Sequence, residues 1–320
     1  MLNAAVIGVG NMGKHHARVF SNLRGVCLTA VSDIDSNVVK RVAGNFDCKA
    51  YTDYEEMIKN ENLDIVSVVV PTKLHAKIAI DTVKAGIHTI VEKPIADTLE
   101  NAKKIILAAR ENKVKLSVGH IERFNPAVSE LKKLVTAGKL GKISSIMAKR
   151  VGYFPSTPID VNVLIEVGIH DIDIFNYILG KLPTGVYASG GKTESEKFKE
   201  DYVNVLLDYN DVSALLEVNW ITPLKIRRLE VTGSKAFAEL NYISQDLVVH
   251  HVNKSSIQGS KRIYEKIEIV KREPLKLELE HFAECVLKDR VPLNDGESAY
   301  HALNIAHKAI EFLNKNKQII

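Results

Sequence analysis

Three cysteines in 320 residues, Cys27, Cys48 and Cys285, are too few and too scattered for a disulfide framework, and no two form a CxxC pair. That scarcity fits a reducing compartment, so a cytoplasmic location is expected. It also argues against a thiolate metal site, and no metal is expected. No apolar run approaches the roughly 18 residues of a spanning helix, so no membrane partner is expected. The opening MLNAAVIGVG is apolar but has no basic start and no cleavage pattern. It runs straight into a glycine motif and reads as a strand, not as a leader. An excess of one charge is lacking too. Lys and Arg number 43 against 39 Asp and Glu, a net of +4 that does not call for nucleic acid. Asn253-Lys254-Ser255 matches a glycosylation acceptor, which is without meaning in a cytoplasmic chain.

What is present is a globular composition, 46% hydrophobic and 26% charged, over a length that predicts two domains. Over residues 1–120 strand and helix patterns alternate. Strands are expected at 3–10, 27–33, 63–72, 88–92 and 115–119. Helices are expected at 14–23, 36–46, 73–86 and 99–113. Strands that are β-branched and nearly continuous in apolar residues predict a parallel sheet covered on both faces. Ligands bind such sheets beyond the carboxyl ends of the strands.

The turn after the first strand reads Gly8-Val9-Gly10-Asn11-Met12-Gly13. The GxGxxG pattern alone is weak, but here it follows a strand and opens a helix, as the motif requires. Gly8 permits the tight turn, Gly10 lets a pyrophosphate approach the backbone, and Gly13 lets helix and strand pack closely. With Asn11 and Met12, this turn presents a helix N-terminus to phosphate. Asp33 ends the second strand and can accept hydrogen bonds from both adenosine ribose hydroxyls. An acid there would repel a 2′-phosphate, so NAD is expected rather than NADP, although Lys40 and Arg41 lie a turn or two further on. The first 120 residues are therefore expected to be a dinucleotide-binding Rossmann domain, a doubly wound parallel sheet.

Residues 121–320 are expected to form a substrate-binding and oligomerisation domain, its final helix returning to the first domain. A helix within 121–141 and a strand at 142–154 precede a helix at 162–180. Alternating segments at 185–192, 202–209, 212–220, 226–232, 236–241 and 246–251 predict a large open, mainly antiparallel sheet. Helices at 275–288 and 297–315 close the chain. In an ideal helix over 162–180, Glu166, His170 and Asp173 fall within about 60° of one another. Two acids and an imidazole on one face of an apolar helix are costly to bury for packing alone. A solvated face or a structural ion pair would give the same pattern.

Glu92-Lys93-Pro94 places two opposite charges where the strand expected at 88–92 ends. Taken together, AVIGVGNMGKHHARVF, VEKP and EVGIHDID, in that order and spacing, resemble the glucose–fructose oxidoreductase / inositol dehydrogenase (Gfo/Idh/MocA) family. The similarity extends to VVVPTKLHAKIA and to HFAECVLKDRVPLNDGESAYHALNIAHKAIE. It implies an NAD(P)-dependent sugar dehydrogenase acting on CH–OH, usually a dimer or tetramer. By resemblance, Lys93 sits beside the nicotinamide and hydrogen-bonds the reacting oxygen, and His170 is the general base. Pro71, Thr72 and His75 line the nicotinamide side, and Glu92 contacts the cofactor. A cis Lys93–Pro94 bond, common in relatives, is also implied. Where the family usually has aspartate four residues before the histidine, this chain has Glu166, an acid of longer reach.

Within the family, HIERFNPAV and KRVGYFPSTPIDVNVLIEVGIHDID resemble the branch that oxidises UDP-N-acetylglucosamine at C3. That resemblance implies a nucleotide-sugar site including Arg123, Asn125, Arg150, Tyr153 and Asp173, since arginine suits a pyrophosphate and an aromatic ring a uracil face. Myo-inositol, another sugar, or a non-catalytic NAD-sensing role remain alternatives on the same scaffold.

Overall fold

The computed structural model describes residues 1–155, 161–193, 200–251 and 263–316. The glycosylation-like Asn253-Lys254-Ser255 lies outside them. The chain divides into two compact units. One comprises Met1–Ile121 with Glu273–Tyr300, the other Glu122–Arg272 with His301–Ile320.

In the first unit β1 (Leu2–Ile7) is the central strand, and Ala4, Ala5 and Val6 have no exposed surface. Small and β-branched residues let both faces be covered. With β2 (Val26–Ser32), β3 (Lys49–Tyr51), β4 (Ile65–Val68), β5 (His88–Val91) and β6 (Leu116–Val118) it forms a parallel sheet of order β3-β2-β1-β4-β5-β6. The helices α1 (Gly13–Asn22), α2 (Ser36–Phe46), α3 (Tyr54–Asn60), α4 (Thr72–Lys84) and α5 (Leu99–Glu111) connect the strands. The order reverses between β1 and β4, and at that switch point a parallel sheet binds its ligand. Further along the chain, α8 (Pro274–Leu287) packs Leu275, Leu279 and Phe282 into the same core as Val6, Phe20 and Leu28.

The alternation predicts this sheet, with two omissions. The pattern shows neither β3 nor α3. β3 has only three residues, none fully buried, and α3 buries Met57 alone, so neither carries a periodic apolar stripe. The strand expected over 63–72 ends at Val68, because Val69 to Pro71 turn out of the sheet into α4.

The second unit is built on an eight-stranded sheet. Its strands are β7 (Ile143–Val151), β8 (Gly185–Gly191), β9 (Tyr202–Asp208), β10 (Ser213–Asn219), β11 (Ile226–Gly233), β12 (Ala236–Asn241), β13 (Asp246–His251) and β14 (Ile263–Lys266). The order is β14-β13-β12-β11-β7-β10-β9-β8, antiparallel except where β7 lies parallel to β10. Alternate residues such as Ile146, Ala148, Leu216 and Val218 are buried beneath α6 (Pro126–Thr136) and α7 (Ile169–Leu179), leaving the opposite face open. All four residues of β14 are exposed, which is why no pattern announces this edge strand. A last helix, α9 (Gly296–Asn316), ends in this unit.

The single helix expected over 162–180 is a correction. Leu164–Gly168 form a π-helical turn, and α7 starts only at Ile169. The wider turn breaks the 3.6-residue period, so angles reckoned from an ideal helix do not carry across Gly168.

Candidate active site

The glycine-rich turn leaves β1 at the switch point. Gly8 adopts φ +85° and donates its N–H to the Ser32 carbonyl at 2.7 Å. A Cβ there would lie 2.4 Å from the Val69 carbonyl oxygen, so only glycine fits. A Cβ on Gly13 would lie 1.8 Å from the Gly8 oxygen, which fixes helix against strand. Gly10 differs: it is exposed, and a Cβ there would meet nothing within 4 Å. Glycine at Gly10 is thus not demanded by the protein's own packing, as expected where something else approaches the backbone. Asn11 is exposed and Met12 half-buried beside it.

The Asp33 carboxylate accepts the Val9 N–H at 2.8 Å through one oxygen and the Asp35 N–H at 3.0 Å through the other. Each oxygen keeps acceptor capacity for a further donor. Nearby, a cavity of about 600 Å³ is bordered by Gly10, Asn11, Lys14, Arg41 and Phe46. An acceptor beside β2, open backbone at Gly10 and cations around a cavity together fit an adenine dinucleotide with its pyrophosphate.

At the end of β5, Glu92 and Lys93 are half-buried and Pro94 is buried, and the Lys93–Pro94 peptide is cis. The Glu92 carboxylate contacts His16 Nε2 at 3.1 Å and accepts the Lys93 N–H at 3.1 Å. The other imidazole nitrogen of His16 meets Ser67 Oγ at 2.7 Å. Burial opposes ionisation of Glu92, but the His16 hydrogen bond and the charges of His16 and Lys93 outweigh it and hold the carboxyl below its usual range. Gly119, just past the end of β6, makes room, since a Cβ there would fall 2.9 Å from this carboxylate.

His16 and Gly119 are absent from the sequence-based site. KHHA reads simply as helix, and His16 is 76 residues from its partner. His75 is 1% exposed, its nitrogens 2.9 Å from the Pro94 carbonyl and 2.8 Å from the Val70 carbonyl. Burial lowers the pKa of this imidazole below its ordinary value, against the pull of the two carbonyls. It ties the turn after Lys93 to α4, whose start is formed by exposed Pro71 and half-buried Thr72.

In the second unit Glu166 lies in the π-helical turn and His170 in the first turn of α7, both half-buried. Asp173 does not share their exposure. It is 1% exposed, and Arg123 donates to both its oxygens, at 2.7 and 2.6 Å. Arg150, 3% exposed, bonds Asp171 and reaches Glu122 at 3.0 Å, with the Tyr242 ring 4.8 Å from its guanidinium. Asn125 caps α6 by accepting the Ala127 N–H at 3.1 Å and donates to the Tyr242 carbonyl at 3.0 Å. Arg123, Asn125, Arg150 and Asp173 thus form a buried polar frame around the start of α7. Tyr153 stands apart from it, 64% exposed. Such ion pairs are a poor argument for stability but a good one for fixing a helix in a single position.

The parallel sheet of order β3-β2-β1-β4-β5-β6 with its glycine turn and Asp33 defines a nucleotide-binding oxidoreductase domain. The chain belongs to the Gfo/Idh/MocA oxidoreductase family: its NAD-binding Rossmann domain matches residues 2–120, and its C-terminal domain residues 128–239. NAD is accordingly its cofactor. The chain is 27% identical over 306 residues to UDP-N-acetylglucosamine 3-dehydrogenase of Acidithiobacillus ferrooxidans, covering 95% of each. It is 28% identical over 306 residues to the NAD⁺-dependent scyllo-inositol 2-dehydrogenase of Bacillus subtilis, covering 91% of this chain and 88% of that one. The solved structure of the Acidithiobacillus enzyme superposes with a TM-score of 0.88 at 26% identity, over 98% of this chain and 97% of the other.

Proposed function

We propose that this protein oxidises a ring hydroxyl of a sugar, namely the C3 hydroxyl of UDP-N-acetylglucosamine, with His170 as general base and Lys93 stabilising the alkoxide. A free alcohol is too weak an acid to ionise unaided. An imidazole, titrating ordinarily at about 6.5, can take its proton near neutral pH. The ammonium of Lys93 supplies charge and a hydrogen bond to the oxygen that becomes negative. Bound NAD supplies the hydride acceptor. Glu166, one turn before His170, orients the base. In this reading Arg123, Asn125, Arg150 and Asp173 hold α7 and therefore His170, while Tyr153 meets substrate.

The observation that carries the proposal is the Glu92 carboxylate, bonded both to His16 of α1 and to the Lys93 N–H. It ties the lysine to the helix that begins at the dinucleotide turn, so cofactor site and catalytic cation are built as one piece. Likeness to the inositol dehydrogenase leaves the chemistry unchanged and alters only the ring. The test is NADH formation with UDP-N-acetylglucosamine, N-acetylglucosamine and inositols offered in parallel. Turnover of the nucleotide sugar is expected, abolished in Lys93→Met with NAD binding retained, and lowered about 10²–10⁴-fold in His170→Ala. Oxidation of inositol alone would overturn the substrate, and near-normal rates in both variants the mechanism. We also propose that a second copy of the chain covers the open face of the eight-stranded sheet.

A further inference from the structure

In the second unit a cavity of about 350 Å³ lies where β7 and β10 end and β11 begins. Glu166 borders it, as do Tyr153, Trp220, Arg150, Lys225 and Arg227. One cavity thus joins the turn before the proposed base to a cluster of three cations.

The cations are not equivalent. Arg150 is answered by Asp171 and Glu122. Arg227 stands directly opposite Arg150 in the β7–β11 register, so the two side chains project on the same face. Among the described residues neither Arg227 nor Lys225 enters an ion pair. Counting Glu122, Asp171 and Glu166, the acids of the cluster equal its cations in number, but the two signs are separated. The acids lie on and before α7, and the two cations outside any ion pair lie at the start of β11, Lys225 just before it and Arg227 within it. Burial and then Arg150 disfavour the charged form of Arg227, outweighing the favourable pull of Glu122 and Asp171, and Arg227 in turn disfavours that of Lys225. Two like charges side by side, neither in a close ion pair of its own, carry a repulsion that a bound anion relieves.

We propose that Lys225 and Arg227 hold the diphosphate of a nucleoside-diphosphate sugar, with the exposed ring of Tyr153 against the base and the sugar toward Glu166. This rests on the reading of the substrate as a nucleotide sugar and adds the residues that recognise its charged half. The guanidinium fork matches phosphate oxygens and the ammonium adds a point charge. Trp220, 5% exposed, forms the apolar wall. A polyol such as inositol offers these cations nothing.

The test is UDP binding by calorimetry with NAD saturating, so that the dinucleotide cavity is filled, together with steady-state kinetics. Lys225→Ala and Arg227→Ala should each weaken UDP about tenfold or more. KM for UDP-N-acetylglucosamine should rise by more than kcat falls, and Arg227→Lys should recover part of the loss. Lys225 is exposed, so its variant reports even if Arg227→Ala does not fold. If wild-type enzyme oxidises UDP-N-acetylglucosamine but the variants bind UDP unchanged, the subsite is wrong and the substrate reading stands. If wild-type enzyme fails to oxidise it yet binds UDP through these cations, the subsite stands and that reading falls. Wild-type protein that binds no UDP overturns the subsite.

Discussion

Glu92 and His75 hold the end of β5 through contacts made entirely within the protein. Charges and a proline commonly follow a strand, so Glu92-Lys93-Pro94 stands out in the sequence only alongside the glycine motif and EVGIHDID. What holds those charges was not legible: His16 is 76 residues away, and a histidine inside a helical pattern carries no mark of its partner. His75 was visible only through resemblance, and its two backbone contacts could not be read from spacing. Its burial has a consequence for pH. Burial holds its folded pKa below the unfolded value of about 6.5, so unfolding takes up a proton. The stability it contributes is complete above that pH and is lost as pH falls through it toward the folded pKa. His88, His281 and His307 are shifted the same way by burial and add to the effect. The melting temperature should therefore decline from pH 7.5 to 5.5, and the decline should be shallower in His75→Gln, whose amide keeps a hydrogen bond but cannot titrate. Parallel curves for the two proteins would mean that His75 takes up its proton at the same pH folded and unfolded.

At the scale of elements, periodicity worked where burial was one-sided or complete. The six-stranded sheet owes its legibility, β3 apart, to strands that are mostly apolar and almost wholly buried and to helices that bury one stripe. Legibility ended where geometry departs from the standard period. The π-helical turn at Leu164–Gly168 leaves no trace in composition, so the angle reckoned from Glu166 to His170 does not carry across it, while Asp173, on α7 with His170, is claimed by an Arg123 that no spacing reveals. The turn Gly8–Gly13 is a sharper case, because its glycines serve different ends. Gly8→Ala would be strained by its φ of +85° and by the Val69 carbonyl, and loss of fold is expected. Gly10→Ala meets no protein atom within 4 Å, so the melting temperature without cofactor should stay near wild type. NAD affinity should nevertheless fall by about tenfold or more, because the new methyl stands where the pyrophosphate approaches the backbone. Titration of both proteins with NAD decides it, and equal affinities would remove the turn from the cofactor site.

At the scale of the whole molecule, the open face of the eight-stranded sheet carries its own instruction. Strand register sets Tyr187 opposite Leu206, Leu206 opposite Leu215, and Leu215 opposite Met147. These four are 49%, 38%, 40% and 47% exposed, and so form one apolar row crossing four strands. Beyond Met147 the row continues into Glu230 and Glu239, and beside it Lys149 pairs with Glu217 at 2.8 Å. An apolar centre with a charged rim is the anatomy of an interface, not of a solvated surface. The sequence shows the alternation of each strand but not this row, since the pairing of distant strands is what assembles it. If a second copy covers the face, Leu215→Lys places an unpaired ammonium at the centre of the contact, where it must be desolvated without a partner. Light scattering on the purified protein should then show a mass of at least two chains for wild type and a smaller assembly for Leu215→Lys. The single-chain melting behaviour of the variant should change little, because the position is open within the chain. A wild-type protein that runs as one chain at high concentration would show that the row serves something other than self-association.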